Sequence, residues 1–469
     1  MPAGAPGHAS IQRHFPVPTP SRFRATALGN CSFAAGTTSA APLTTEPCSN
    51  VSSAGDLHPP AAARSCSIVS ACHGRRGGPQ RTGQTQLRKS FLDFARPQIS
   101  EEDIAEVLDT LRSGWITSGP KARRFEAEFG ALVEAPAALA LNSCTAGLHA
   151  ALVTAGIGPG DEVVTTPMTF AATVNVIEQC GATPVLVDVE PDTLNIDPAA
   201  VSAALTARTK AIIAVHYAGH PAELDALREI AVRRDLLLLE DAAHALPARY
   251  KGQLIGSTDN PTSFSFYATK NLTTGEGGML TASPEFVARA RVFCSQGVSR
   301  NAWGREEAGR RWQYSVTMPG LKYNMTDIQA SLGLGQIRRL QEMQARRREL
   351  VAYYRSLLST VDDLEMPTER PHIEHAWHLF VLRLRGALRG KRDLFASRLW
   401  ERNIGTSVHF IPIHMHPFYR DKYKLGANDF PVAYDAGQRV LSLPLYPGMS
   451  MRDATDVVEA VLDVARELR

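Results

Sequence analysis

The chain has 469 residues, of which 44% are hydrophobic and 21% are charged, and its formal net charge is +3. This composition is typical of a soluble globular protein, and the length predicts two structural units plus an appendage. No run of eighteen apolar residues occurs and the charges nearly balance, so the sequence indicates neither a membrane span nor a nucleic-acid-binding protein.

The first 90 residues differ from the rest of the chain. They are rich in Ala, Ser, Thr, Pro and Gly, and their nine Lys and Arg residues face only two acids, Glu46 and Asp56. Such a segment buries too little apolar surface to fold alone, so disorder is one interpretation. An Arg- and Ser-rich start with few acids is equally typical of an organellar transit peptide. The third interpretation is an upstream start codon that is not used.

The seven cysteines form no CxxC pair and show no metal-ligand spacing. This pattern favours a reduced, cytoplasmic interior over a disulfide framework, and it predicts no metal site. Organellar targeting by residues 1–90 remains the other possibility for the location.

Ordered structure is predicted from about Phe91. Ser100, with Asp103 three residues later, predicts a capped helix whose apolar positions begin at Ile104 and recur at helical spacing. Strand-like runs then alternate with amphipathic stretches such as residues 221–234, and this alternation predicts βαβ units in an α/β fold with a mainly parallel sheet. The strand-like runs are residues 138–141, 161–166, 183–189, 210–215 and 236–240.

The pattern changes near residue 330. A long charged helix that includes residues 336–354 leads into a mixed segment, which a helix over 451–469 closes. We therefore predict a large α/β domain over residues 91–330 and a smaller α+β domain over residues 331–469.

One lysine, Lys270, follows the alternating run SFSFYAT at residues 263–269 and precedes the glycine-rich EGG at 276–278. A lysine beside apolar walls loses hydration of its charged form, so its pKa falls toward the nucleophilic range. Such an amine can form a Schiff base with a carbonyl cofactor such as pyridoxal 5'-phosphate (PLP). On this stretch alone, a surface lysine after an edge strand is an equal interpretation.

Two segments that precede Lys270 offer a seat for such a cofactor. Residues 142–149, NSCTAGLH, open a helical pattern, where free N–H groups and the hydroxyl of Thr145 can hold a phosphate. Phe170 follows the strand-like run at 161–166, where an aromatic ring can stack on a pyridine. The structural alternatives are an ordinary helix cap and a core phenylalanine.

Two more segments complete the set. Asp241 and His244 follow four leucines. An aspartate paired with a pyridinium nitrogen keeps that ring an electron sink, and His244 can donate to the phenolic oxygen of the cofactor. A structural salt bridge is the alternative. Residues 319–327, PGLKYNMTD, open the next helix, for which a plain capping loop is the alternative.

In this order, the segments resemble one family. From about Phe91 onward the chain is similar to the DegT/StrS-type sugar-nucleotide aminotransferases, which are fold-type I PLP enzymes. Within that family the motif variants are closest to the members that aminate a 4-keto sugar, of the UDP-4-amino-4-deoxy-L-arabinose–oxoglutarate aminotransferase type. The segments that carry the resemblance are SGWITSGPK at 113–121, EDAAH at 240–244, SFYATKN at 265–271, GLKYNMTDIQA at 320–330, HAWH at 375–378 and SLPLYP at 442–447.

The resemblance implies a role for each matching residue. Lys270 binds PLP as a Schiff base and moves the substrate proton, Asp241 pairs with the pyridine nitrogen, and Phe170 stacks on the ring. Asn324 reaches the phosphate from the neighbouring subunit, which implies a homodimer with shared sites. The phosphate-binding residues implied in this way are Thr145, Ala146, Ser265 and Asn324.

Three further residues occupy notable positions in the resemblance. Cys144 stands where relatives often have glycine or alanine, and a thiol is small enough to fit. His409 and His414 fall where the C-terminal domain faces the nucleotide-sugar site in relatives. A satisfied structural histidine is an equal interpretation for either of them.

The resemblance implies a ping-pong aminotransferase that converts glutamate to 2-oxoglutarate and aminates the C4 ketone of a nucleotide-linked keto sugar. The context it implies is cell-surface polysaccharide or lipid modification. The intact Lys270 favours transamination over the dehydration performed by members with histidine there. The alternatives are an amino-acid aminotransferase, in which Arg439 clamps an α-carboxylate, and a non-catalytic PLP-binding regulator.

Overall fold

The computed structural model describes residues 88–298 and 314–469. These residues belong to one structural unit. Residues 1–87 lie outside the described part. The three interpretations of the N-terminal extension concern these residues. The domain boundary at residue 330 falls within the long helix Asp327–Leu358 and stays a prediction.

The described strands are, in chain order, β1 (Ala137–Leu141), β2 (Glu162–Thr165), β3 (Thr183–Leu186), β4 (Thr209–Val215), β5 (Leu237–Asp241), β6 (Arg249–Tyr250), β7 (Gln253–Leu254), β8 (Thr262–Ser265), β9 (Gly278–Ala282), β10 (Leu364–Glu365), β11 (Ile373–Glu374), β12 (Phe380–Leu384) and β13 (Val440–Leu443). The described α-helices are α1 (Glu101–Ser113), α2 (Pro120–Leu132), α3 (Cys144–Thr154), α4 (Ala171–Gln179), α5 (Pro198–Ala204), α6 (Leu224–Arg234), α7 (Pro284–Cys294), α8 (Asp327–Leu358), α9 (Arg392–Glu401), α10 (Pro417–Tyr423), α11 (Pro431–Arg439) and α12 (Met451–Leu468).

A seven-stranded sheet lies at the centre, with the strand order β1-β9-β8-β5-β4-β2-β3. The strands β3, β2, β4, β5 and β8 are parallel, whereas β9 is antiparallel to both of its neighbours. The predicted α/β fold with a mainly parallel sheet is therefore confirmed. Consequently β1, β2, β4, β5 and β8 all end at the same edge of the sheet, which is where ligands bind in open α/β folds.

Aromatic side chains fill the space between α2 and this sheet. Phe125 and Phe129 of α2 pack against Phe264 and Phe266, and three of these ring pairs meet edge to face with centroids 5.1 to 5.3 Å apart. All four rings are fully buried, and this geometry adds to the stabilisation that their buried area provides. The core therefore supports the end of β8, from which the loop with Lys270 begins.

The C-terminal part of the chain folds around a second sheet, of three strands in the order β10-β12-β13. Side chains of α8, α9 and α12 pack on it in one apolar core, which includes Tyr354, Phe380, Phe395 and Val461. The predicted helix at 336–354 is present within α8, and the predicted helix at 451–469 is present as α12, which ends one residue earlier. Within the described residues, no helix is long and apolar enough to cross a membrane.

Helix α1 begins at the predicted cap. Ser100 Oγ accepts from the N–H of Asp103, whose carboxylate accepts from the N–H of Ser100. Asp103 is buried against α8, where Gln336 and Arg339 donate to it. These contacts orient α1 so that its apolar stripe points away from the core of its own chain. The exposed members of the α1 apolar stripe are Ile104, Leu108 and Leu111.

Candidate active site

Several predicted site segments meet at the carboxyl edge of the central sheet. Asp241 is the last residue of β5, α3 follows β1, and α4 follows β2. Thr173 of α4 donates to Asp241 at 2.8 Å, and Cys144 Sγ on α3 lies 3.4 Å from Ser263 Oγ on β8. Lys270 follows β8 by five residues, and its charge acts on both Asp241 and Cys144.

Lys270 is half-buried at this edge. The strand before it, β8, lies between β9 and β5, so the alternative of a surface lysine after an edge strand is wrong. Burial lowers the pKa of Lys270 to about 8, against the opposite influence of Cys144 and Asp241. A lysine with this pKa carries free amine near neutral pH, and the free amine is the form that attacks a carbonyl.

Asp241 is buried, and both oxygens of its carboxylate are hydrogen-bonded. Oδ2 accepts from the Thr173 hydroxyl at 2.8 Å, and Oδ1 accepts from the N–H of Ala243 at 3.1 Å. Burial raises the pKa of Asp241, and these two hydrogen bonds work against that effect. The residue of β5 that contacts a buried histidine is the preceding one, Glu240. Its carboxylate lies 3.1 Å from His216.

A group of imidazoles forms a wall beside Lys270. The ring of His244 lies 4.5 Å from that of His378 and is stacked 5.9 Å from Phe410, by centroid distance. Burial lowers the pKa of His244 and of His378 well below the ordinary range, and the charge of Lys270 acts in the same direction. Burial and Lys270 also lower the pKa of His409 to about 4. These rings are therefore neutral at physiological pH.

Asn271 orients one of these rings, although sequence reasoning gave neither it nor His378 a role. Its Nδ2 donates to the carbonyl oxygens of Leu246 and Ala376, both at 2.8 Å. Its Oδ1 is therefore an acceptor, and His378 Nδ1 donates to it at 3.2 Å. The HAWH motif contained His378, but only the fold brings that residue beside the neighbour of Lys270.

The start of α3 is the segment that the sequence predicts to hold an anion. Ser143 caps this helix, and its Oγ accepts from the N–H of Ala146 at 3.1 Å. That N–H therefore has a partner within the chain, and its bond to a phosphate stays a prediction. The N–H groups of Cys144 and Thr145 precede it in the first helical turn, where the helix itself provides no acceptor.

Close packing shapes this seat. Gly278, the first residue of β9, lies so near the backbone of Ser143 and Cys144 that a Cβ atom there would collide with both. Ser265 ends β8, and its Oγ accepts from the N–H of Tyr267 at 3.4 Å. The seat is thus bordered by small residues, which allow an anion to approach the backbone.

Phe170 stands at the N-terminus of α4 with 66% of its surface exposed. The alternative of a core phenylalanine is therefore wrong. Its ring centroid lies 6.3 Å from that of Phe410, the residue that also stacks on His244. An exposed ring at the carboxyl edge of the sheet is available to cover one face of a planar ligand.

Asn324 is held by the SGWITSGPK segment. Its Nδ2 donates to Ser118 Oγ at 2.6 Å, and its backbone pairs with Leu141, the residue that ends β1. In a single chain the Asn324 side chain is therefore directed to Ser118. The phosphate contact implied for it in a neighbouring subunit stays a prediction.

His414 and Arg439 are the two remaining candidates, and both lie in the C-terminal part of the chain. His414 is fully buried with its ring 4.9 Å from Phe430, and neither ring nitrogen has a hydrogen-bond partner among the described residues. Arg439 forms salt bridges with Glu365 and Asp435. The guanidinium is therefore already paired with carboxylates of its own chain, whereas the amino-acid aminotransferase alternative requires it to bind a substrate.

Comparison with known proteins identifies the family. Residues 97–462 match the model of the DegT/DnrJ/EryC1/StrS aminotransferase family. The chain belongs to this family. It is 48% identical over 384 residues to the spore coat polysaccharide biosynthesis protein SpsC of Bacillus subtilis. The aligned residues cover 81% of this chain and 99% of SpsC.

Solved structures of other proteins have the same fold. The PLP form of Spr1654 from Streptococcus pneumoniae is 33% identical, with a TM-score of 0.75 over 81% of this chain and 100% of that one. The sugar aminotransferase CalS13 from Micromonospora echinospora is 30% identical, with a TM-score of 0.71 over 79% of this chain and 99% of that one. The protein is therefore a PLP-dependent aminotransferase with the fold-type I architecture. Its nearness to the 4-amino-arabinose branch stays a prediction.

The residues at the carboxyl edge fit PLP. Lys270 supplies an amine of lowered pKa, and Asp241 supplies a buried carboxylate of the kind that pairs with a pyridine nitrogen. The ring of Phe170 is exposed for stacking, and the start of α3 provides N–H donors for the phosphate. His244 Nδ1 is buried without a hydrogen-bond partner among the described residues, so this nitrogen is not engaged by the part of the chain that the structure describes.

Proposed function

We propose that this aminotransferase moves an amino group from glutamate to the C4 ketone of a nucleotide-linked keto sugar, in two half-reactions. The observation that carries the proposal is Lys270, a half-buried amine with a pKa of about 8 that interacts with the buried Asp241. The sugar substrate is supported by two relatives, since SpsC is named for polysaccharide biosynthesis and CalS13 is a sugar aminotransferase. Cell-surface polysaccharide or lipid modification is the context we propose.

Each residue has a distinct task in this proposal. When bound, PLP supplies an electron sink that acidifies the Cα–H bond of the amino acid. With PLP bound, Asp241 would hold the proton on the ring nitrogen, Phe170 would cover one ring face, and His244 would donate to the phenolic oxygen. Lys270, as a free amine, would take the proton from Cα and move it to the carbon that carries the aldehyde in free PLP. In the second half-reaction Lys270 moves a proton in the opposite direction.

We also propose that two copies of the chain share their sites, as the resemblance of Asn324 implies. The α1 apolar stripe supports this, because it is exposed in a single chain and lies on the same helix that leads into the SGWITSGPK segment. Trp115 and Ile116 of that segment are also half exposed. An apolar surface of this kind is typical of a face that a partner covers.

A cytoplasmic location completes the proposal. Cys144, Cys180 and Cys294 are free thiols, as proteins of reducing compartments have.

The test separates the two half-reactions. Purified PLP-loaded enzyme is mixed with glutamate, and loss of the visible absorbance of bound PLP reports the first. A panel of nucleotide-linked keto sugars is then compared with simple keto acids for recovery of that absorbance. Recovery with a keto-sugar nucleotide supports the proposal, and it identifies the acceptor. Recovery with keto acids other than 2-oxoglutarate, and with no sugar, would show an amino-acid aminotransferase instead.

A further inference from the structure

The carboxylate of Asp241 is backed by two buried hydroxyl groups. Thr173 Oγ1 lies 2.8 Å from Asp241 Oδ2, and Thr169 Oγ1 lies 2.7 Å from Thr173 Oγ1. All three side chains are buried. The hydroxyls therefore form a short relay, Thr169–Thr173–Asp241, that solvent does not interrupt.

The direction of the hydrogen bonds in this relay follows from the charge of Asp241. An ionised carboxylate can only accept hydrogen bonds, so the one hydroxyl proton of Thr173 is donated to Asp241. The Thr173 oxygen can then only accept from Thr169, whose hydroxyl is the donor in that pair. Each bond polarises the next, which strengthens the hold on the carboxylate while it stays ionised.

The second oxygen of the carboxylate is held from the other side. Asp241 Oδ1 accepts from the N–H of Ala243 at 3.1 Å and lies 3.9 Å from Cys144 Sγ. Because the two oxygens bind partners on different elements, the carboxylate cannot rotate about its Cβ–Cγ bond without losing a hydrogen bond. Thr173 is the partner that fixes Oδ2.

Helix α4 connects this relay to the ring-stacking residue. Phe170 caps α4, and its carbonyl oxygen accepts from the N–H of Thr173 at 3.2 Å. The two residues are three positions apart, so they lie close together on one turn of the helix. One turn of α4 therefore presents Phe170 to the cleft and Thr173 to the carboxylate of Asp241.

We propose that Thr173 is a positioning residue for Asp241, with Thr169 orienting its hydroxyl, and that the relay holds the carboxylate ionised and directed at the pyridine nitrogen of PLP. The inference rests on the role proposed for Asp241. It predicts that the Thr173 hydroxyl contributes to cofactor binding without touching the cofactor.

The test compares Thr173→Val, which keeps the shape and removes the hydroxyl, with Thr173→Ser, which keeps the hydroxyl. Apoenzyme is titrated with PLP, and the absorbance of the bound cofactor is followed across pH. We expect Thr173→Val to bind PLP about tenfold more weakly, since it loses a hydrogen bond to a charged group. Its absorbance change should also move to higher pH, because a ring nitrogen that holds its proton less firmly withdraws less charge from the imine, which then keeps its own proton to higher pH. Thr173→Ser should behave like the wild type.

Wild-type affinity and an unmoved pH midpoint in Thr173→Val would overturn the inference. A Thr173→Ser variant as weak as Thr173→Val would also overturn it, because the methyl group rather than the hydroxyl would then matter. Thermal unfolding of each apoenzyme reports folding. If Thr173→Val does not fold, Thr169→Val takes its place. We expect the same shifts in PLP affinity and pH midpoint, at smaller size. Wild-type behaviour of Thr169→Val would overturn the relay.

Asp241→Asn separates this inference from the proposed function. If Asp241→Asn binds PLP with wild-type affinity and spectrum, the assignment of Asp241 itself fails and the relay has no purpose. If Asp241→Asn loses PLP while Thr173→Val matches the wild type, only the present inference fails.

Discussion

The carboxylate of Asp327, at the start of α8, accepts a hydrogen bond from the backbone N–H of Gly119 at 2.7 Å. It also accepts from the N–H groups of Lys121 at 3.0 Å and Ala122 at 2.9 Å. Asp327 therefore caps α2 with a side chain that is distant in sequence and buried. Through this cap, the motifs SGWITSGPK and GLKYNMTDIQA form one structural unit.

The first prediction concerns this cap. Asp327→Ala should lower the free energy of unfolding by about 3–5 kcal/mol, because it leaves three backbone N–H groups without their charged acceptor in a buried place. Urea denaturation of the apoenzyme measures the effect. The control is Asp393→Ala on α9, whose carboxylate is exposed and pairs with its neighbour Arg392. A loss below about 1 kcal/mol for Asp327→Ala would contradict the capping role.

The second prediction concerns the amine of Lys270. Its labelling by an amine-reactive reagent in the apoenzyme should rise with pH and be half-maximal near pH 8, since burial lowers the pKa of Lys270 to about 8. Above that pH the amine is neutral and the rate levels off. Mass spectrometry of the Lys270 peptide measures the rate at each pH. A model lysine peptide, with a pKa of about 10.4, is the reference, and a Lys270 profile that coincides with it would contradict the effect of burial.

The third prediction concerns the ring of Phe170. Phe170→Ala should weaken PLP binding about tenfold through lost stacking, while Phe170→Tyr keeps the ring and the affinity. Because Phe170 is exposed, neither change should alter the unfolding midpoint of the apoenzyme. Titration with PLP gives the affinity. Phe418→Ala, which removes another exposed ring, is the matched control, and equal effects from the two alanine variants would argue against stacking by Phe170.

The fourth prediction concerns shared sites. Lys270→Ala and Asn324→Ala should each be nearly inactive alone, but a refolded equimolar mixture should recover about a quarter of the wild-type activity, because half of the dimers are hybrids with one intact site. Transamination rates before and after mixing give the result. Mixing Lys270→Ala with Lys270→Met is the control and restores nothing. A mixture of the first pair that also restores nothing would place Lys270 and Asn324 in the site of one chain.

Local patterns in the sequence were sufficient for most of the fold. The runs that became β1 to β5, the cap at Ser100 and the helices α8 and α12 follow from periodicity and capping, which act over a few residues. The insertion of the antiparallel strand β9 between β1 and β8 did not follow, because strand pairing joins distant parts of the chain. The exposure of the α1 apolar stripe has the same origin, since the salt bridge between the buried Asp103 and the half-buried Arg339 decides which way α1 faces.

The candidate site divides in a similar way. Lys270, Asp241 and Phe170 could be found because each stands at the end of a strand or within five residues after it, in a recognisable segment. Thr173 and Asn271 could not, because a threonine inside a helix and an asparagine in a loop have many structural uses. Their value depends on contacts with Asp241 and His378, which are made only in the folded chain.

The most direct measurement for the central claim is chemical trapping of the cofactor. The PLP-loaded enzyme is reduced with borohydride and digested, and the modified peptide is located by mass spectrometry. The account predicts a phosphopyridoxyl group on Lys270, and no visible absorbance of bound PLP in Lys270→Ala. Modification of a different lysine, or an unchanged absorbance in Lys270→Ala, would contradict it.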